Sequence, residues 1–157
     1  MDPTPAEQRP PLPDIHPAIA RVLAASPDEP RGVWFPANFG DSPKIGRLSD
    51  AAFRLWATGI DFCSRQLTNG VIPREVVVRL AGGRVRKKIL DELLEVIEPY
   101  GSVWEPDPAG HGYRVCDYLD WNPSRIEVQL AEVAIRDGLV VDDDGIPVRW
   151  LGKGEPR

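Results

Sequence analysis

Apolar residues recur at three- and four-residue intervals in several stretches of the chain, and strict alternation is brief wherever it occurs. The pattern therefore predicts helices joined by short strands and turns. The clearest helix begins at Leu48-Ser49-Asp50, where Ser49 is a good N-cap and Leu48 and Phe53 are spaced as a hydrophobic staple. Ala52, Phe53, Trp56, Ile60, Cys63 and Leu67 follow at helical spacing and should face a core. Trp56 at that spacing reads as a core aromatic rather than a stacking residue. Two weaker patterns flank this region. Asp14 can cap a short helix with Ile15, Ile19, Val22 and Leu23 on one side. Near the C-terminus Asn122 and Pro123 open a helix with Ile126, Leu130, Val133 and Ala134 on one face, ended by Gly138.

The stretch Leu67-Thr68-Asn69-Gly70-Val71-Ile72-Pro73 organises the middle of the chain. Thr68-Asn69-Gly70 predicts a turn, and Pro73 suits the first position of a short helix running to Ala81. Gly82-Gly83 predicts a stop and tight turn, and Arg84 to Ile97 a second helix. On a wheel of about 100° per residue, Val85, Ile89, Leu90, Leu93, Leu94, Val96 and Ile97 share one side of it. The bases sit in its first turns and the acids further along. Bases near a helix N-terminus oppose its dipole by about 0.3–1 kcal/mol each, an ordering that suits a helix aimed at phosphate. Helix, glycine turn and helix form the layout of a helix-turn-helix.

Tyr100 to Trp104 and Tyr113 to Tyr118 predict two strands joined by a long turn, and Val33-Trp34-Phe35 a further short one. Leu139-Val140-Val141 and Ile146 to Trp150 flank Asp142-Asp143-Asp144-Gly145 as a hairpin. The expected fold class is α+β, mostly helical: a winged helix-turn-helix with a short N-terminal helix and a C-terminal helix plus β-hairpin. The divisions are a proline-rich leader at 1–13, a short helix and linker at 14–32, the winged-helix domain at 33–123, the C-terminal helix and hairpin at 124–151, and a tail at 152–157.

Charge sharpens this reading. The whole chain carries −5, yet Arg65 to Lys88 holds seven basic residues against Glu75 alone, leaving −11 for the rest. A local basic patch on an acidic body fits a DNA footprint, with a solvated face balanced by nearby acids as the alternative. The expected groove contacts are Arg84, Lys87 and Lys88, with Arg74 and Arg79 on phosphates and Arg86 snorkelling out at the helix start. The hairpin turn contains Glu105 and Asp107 and no Lys or Arg, so a tight grip on the backbone is not expected of it.

Other chemistry is weakly signalled. His16 and His111 are far apart, and no His/Cys spacing matches a metal site, so no metal, cofactor or catalytic residue is expected. Asp142-Asp143-Asp144 reads as a solvated turn, and the carboxylates of Asp117 and Asp120 as strand end and helix cap rather than an acid–base pair. Cys63 and Cys116 read as small hydrophobes. No apolar run approaches the roughly 20 residues that span a bilayer, and Met1 to Pro5 lacks signal-peptide character. A cytoplasmic protein without membrane contact is expected.

Ser42-Pro43-Lys44, Leu48-Ser49 with Ala52, Leu55-Trp56, Leu67 to Pro73, Gly112-Tyr113 and Asp117 to Arg125 together resemble the small winged-helix proteins of actinobacteria and their phages, of the phage replication-initiation type. The resemblance runs in order across about Val33 to Arg125. The chain differs in having Asn69 where the family has aspartate and Cys116-Asp117 where it has His-Asp. After Arg125 it has an apolar helix and acidic hairpin in place of an Arg-rich tail. The resemblance implies a phage-derived DNA-binding protein, with double-stranded DNA as partner, acting in replication initiation or transcriptional regulation. A second reading is a winged-helix interaction module that docks on a host or replisome protein without binding DNA; a homodimer built by the C-terminal elements combines the two.

Overall fold

The structure, a computed structural model, describes residues 19–20, 32–35, 38–142 and 145–151. It divides into two compact units, Pro30–Arg125 and a second made of Met1–Glu29 with Ile126–Arg157. Both are α+β with a small antiparallel sheet. Among the described residues no helix is long and apolar enough to cross a membrane.

In the larger unit a 3₁₀ turn (Phe39–Asp41) precedes α1 (Asp50–Gln66). The Ser49 hydroxyl accepts from the Ala52 N–H, as its cap position requires. Ala52, Leu55, Trp56, Ile60 and Cys63 are buried; Phe53, expected in the core, is 37 % exposed and packs its ring 5.5 Å from that of Trp56. The helix stops when Leu67 turns left-handed (φ 52), and the Thr68 N–H then reaches back to the Cys63 carbonyl at 3.2 Å. Asn69 and Gly70 also take positive φ, as their turn chemistry allows.

β1 (Val71–Pro73) follows, then α2 (Arg74–Leu80), α3 (Lys87–Leu94), β2 (Trp104–Pro106), β3 (Gly112–Val115) and the short α4 (Tyr118–Trp121). The sheet order is β1-β3-β2, with Ile72 opposite Tyr113 and Glu105 opposite Arg114. Pro73 is thus the last residue of an edge strand, not the first of a helix. Its missing N–H is harmless there. Gly112, opposite Pro73, lies so close that a Cβ would sit 2.2 Å from the Ile72 carbonyl oxygen. Gly59 does the same for helix on sheet: a Cβ there would lie 2.6 Å from Ile72 Cδ1. The core between them contains Trp56, Ile60, Ile72, Val77, Leu93, Trp104 and Val115.

Three expectations from the sequence fail here. Val33 to Phe35 is not a strand. The Asn122 side chain accepts from the Trp34 N–H at 3.0 Å and donates to the Trp34 carbonyl at 3.2 Å, imitating one rung of a ladder. Asn122 is therefore buried and caps the C-terminal end of α4, three residues before the next helix begins at Arg125, rather than the start of that helix. The strands of the hairpin lie at Trp104–Pro106 and Gly112–Val115, not 100–104 and 113–118, because Tyr100 turns back on Ile97 and Tyr118 starts α4.

The second unit contains α5 (Arg125–Arg136, from Ile126 on) and the hairpin β4 (Leu139–Val141) with β5 (Pro147–Trp150). The Asp142 carboxylate accepts from the Ile146 N–H, closing its turn. A Cβ on Gly145 would meet the Ala20 carbonyl, so the hairpin packs closely on the buried Ala20. On the apolar face read from the pattern of α5, Ile126 (66 %), Leu130 (63 %) and Val133 (39 %) are exposed, whereas Val128 and Ala131 on another side are buried. The helix is apolar on opposite sides, and periodicity alone picks out the more populated one. The leader, Asp14, Asp143 and Asp144 and the tail lie outside the described residues.

Candidate nucleic-acid interface

α2 ends in the glycine turn. The Ala81 N–H bonds the Val77 carbonyl, the Gly83 N–H bonds the Val78 carbonyl at 2.9 Å, and Gly82 and Gly83 both have positive φ. Arg84 to Arg86 then runs as non-helical chain, and α3 begins only at Lys87, three residues later than the pattern implies. Half-buried Val85 packs against the core and anchors the turn. The Arg86 carbonyl receives the first helical bonds, from Ile89 at 3.0 Å and Leu90 at 3.3 Å. Arg84 and Arg86 therefore belong to the turn before α3, and only Lys87 and Lys88 to its first turn.

All six expected contact residues, Arg74, Arg79, Arg84, Arg86, Lys87 and Lys88, are exposed. Lys87 pairs with Asp91 one turn on, at 2.6 Å. Such an exposed pair contributes about 0.3–0.5 kcal/mol and is easily exchanged for another anion. Among the described residues no ion pair joins Arg74, Arg79, Arg84, Arg86 or Lys88. Arg65, counted in the basic stretch, is paired with Asp61 at 2.7 Å.

The last acid of α3, Glu92, and Glu95 just beyond the helix are engaged by the chain before α1. The Glu92 carboxylate accepts from the Ser49 N–H at 2.9 Å, holding the start of α1. This bond from the Ser49 backbone, then one from its side chain, with Lys88 and Arg47 close by, pulls the Glu92 carboxyl below its usual range. Arg47 donates to the Glu92 carbonyl at 2.9 Å and to the Glu95 carbonyl at 3.3 Å, and its guanidinium also grips the Glu95 carboxylate. Carbonyls at the C-terminus of α3 are thus capped by a cation from the loop before α1, and the helix stops at Leu94. Val96, expected on its apolar side, is left 60 % exposed. These fastenings fix the helix by its acidic end and leave its basic end in solvent. Arg47 carries no sequence signal for this role, since its partners lie 45 and 48 residues away.

The hairpin tip is braced inward. Asp107 is buried; its carboxylate accepts from Arg114 at 3.3 Å and from the His111 N–H at 3.3 Å, and Glu105 lies 3.8 Å from Arg114. Asp107 is therefore not presented as a repelling charge, as a flat reading of the turn implies. Arg114 is committed to these acids.

The same unit has an open groove of about 850 Å³ between Tyr100, Leu119, Asn69 and Glu105. On its wall Lys44 bonds the Asp117 carboxylate. Asp117 occupies the N-cap position of α4 without a side-chain cap bond, so the capping role read from the sequence is taken by its backbone alone. Half-buried Cys116 lies 3.7 Å from the Ser102 hydroxyl, and burial raises its thiol above the ordinary value. Fully buried Cys63 is pushed up to about 11 by desolvation, with hydrogen bonds around Thr68 and Gly70 pulling the other way. Among the described residues no group of three or more His, Cys, Asp or Glu side chains is placed to hold a metal ion. Comparison with family models, curated proteins and solved structures finds no match to the chain.

Proposed function

We propose that the chain is a DNA-binding winged-helix protein that reads duplex DNA with the start of α3. The single observation behind this reading is the polarity of α3. Glu92 and, just past the helix, Glu95 are taken up by Ser49 and Arg47 and Asp91 pairs with Lys87, while Arg84, Arg86 and Lys88 stand exposed at the other end with no ion pair among the described residues; Arg74 and Arg79 are exposed on α2. Order and pairing support the winged helix: helix, strand, helix, helix, then a hairpin whose second strand takes β1 on its outer side. The hairpin serves as a brace in this reading, because its one arginine is held by Glu105 and Asp107. The resemblance to phage replication-initiation proteins supports a role in replication initiation or transcriptional regulation.

Fluorescence anisotropy with random duplex across a salt series tests the proposal. Three to five phosphate contacts imply a log–log slope of about −3 to −4.5. Absence of binding at low salt overturns it. One observation favours the second reading, docking on a protein or a second copy: the stripe Ile126, Leu130, Val133 on α5 is exposed although the opposite face of the helix is buried. Light scattering of the full chain and of Leu130→Glu checks the dimeric form of it. A monomer in both cases removes self-association and leaves α5 to a different protein.

A further inference from the structure

The glycine turn has a neighbour that sequence order conceals. A hollow of about 290 Å³ lies between the start of α1, the end of α2 and the first turn of α3. Its walls are Ala51, Leu55, Leu80, Ala81 and Ile89, together with Gly82. The only charged side chains lining it are Arg54 and Arg79, which come from different helices and have no ion pair among the described residues. Among the described residues no carboxylate lines it.

Arg54 and Arg79 both line this largely apolar hollow, so their like charges repel each other, and the apolar wall weakens water's screening of that repulsion. An anion between them reverses the sign of the interaction. The planar forks of arginine match the oxygens of a phosphate group better than a point charge does. Access is open at the turn, since a Cβ placed on Gly82 or Gly83 would meet nothing within 4 Å. The hollow also adjoins α3 one residue beyond Lys88, through Ile89.

We propose that this hollow is a phosphate seat, in which Arg54 and Arg79 together hold one backbone phosphodiester of the duplex bound by α3. Arg54, on α1 and outside the basic stretch, thereby joins the interface. This rests on the DNA-binding reading above.

The test compares duplex affinity across a salt series for the full chain, Arg54→Gln, Arg54→Lys and Arg65→Gln. Arg65→Gln removes the same charge from the same helix but from a residue paired with Asp61. Loss of one phosphate contact lowers the slope by about 0.9, equivalent to roughly eight-fold weaker binding at 0.1 M salt. Arg54→Gln should show this loss, Arg65→Gln should not, and Arg54→Lys should recover most of the slope. Equal effects of Arg54→Gln and Arg65→Gln, with the unaltered chain binding well, overturn the phosphate seat alone. Failure of the unaltered chain to bind overturns the DNA reading and the seat with it. Inorganic phosphate, substituted for chloride at constant ionic strength, separates the two sources of phosphate. A strand phosphate predicts that the difference between the unaltered chain and Arg54→Gln persists. Its disappearance marks a free-anion site and overturns the assignment to the backbone.

Discussion

Replacing Gly112 with alanine should detach β1 from the hairpin, and the neighbouring Gly110 supplies the control. Both glycines have positive φ, 150° at Gly112 and 78° at Gly110. A Cβ at Gly110 meets nothing within 4 Å, so Gly110→Ala suffers backbone strain alone, on the order of 1 kcal/mol. At Gly112 the Cβ would stand 2.2 Å from the Ile72 carbonyl oxygen and 2.9 Å from the Arg74 amide nitrogen, against a practical floor of 3.0 Å. Both obstacles are backbone, so β1 must retreat by about 0.8 Å to clear the first of them. That retreat loosens the ladder opposite β3, where each net hydrogen bond contributes about 0.5–1.5 kcal/mol, and lifts Ile72 off Trp104 and Gly59. Strain and ladder loss together give a cost of about 3 kcal/mol. For a unit of this size that lowers the melting temperature by roughly 12–24 °C, against about 4–8 °C for Gly110→Ala. Thermal denaturation followed by circular dichroism measures both. Equal melting temperatures for the two variants would refute the close approach of β1 and β3.

Other consequences follow from the same contacts. Glu92 titrates below its ordinary value in the folded chain because its carboxylate accepts from Ser49. Its stabilising contribution is therefore present above the unfolded pKa and lost as pH falls through the folded one. The melting-temperature gap between the unaltered chain and Glu92→Gln should be widest above about pH 5 and shrink on acidification below about pH 4; a gap that grows in acid contradicts the capping bond. The raised thiols predict slow alkylation at pH 8, where a pKa of about 11 leaves Cys63 roughly one part in a thousand ionised. Mass spectrometry should find half-buried Cys116 modified first and Cys63 only on unfolding; early labelling of Cys63 contradicts its burial.

What could be read from the chain depended on whether a role was local. The Ser49 cap, the glycine stop after α2 and the core face of α1 at Ala52, Trp56 and Ile60 are set by neighbours within a few residues, and the apolar pattern reveals them. Arg47, Asn122 and Asp107 act on partners made adjacent only by folding, and a capping arginine looks like any surface arginine in sequence. β1 was hidden because Val71-Ile72-Pro73 is three residues long and ends in proline, a sequence that equally suits a helix start. The late start of α3 has a similar origin: Val85 satisfies the helical wheel, yet it packs as the anchor of a turn. On α5 two apolar faces compete, and the better populated stripe is the exposed one. The six basic positions were legible as exposed bases, whereas Arg54 was not legible as their neighbour.

The most direct test reverses charge at Lys87 and Lys88 together and measures duplex affinity by fluorescence anisotropy across salt, with circular dichroism to verify folding. Groove docking by the start of α3 requires weaker binding to every sequence and a salt slope flatter by about two units. Unchanged affinity and slope in a folded double variant would contradict it.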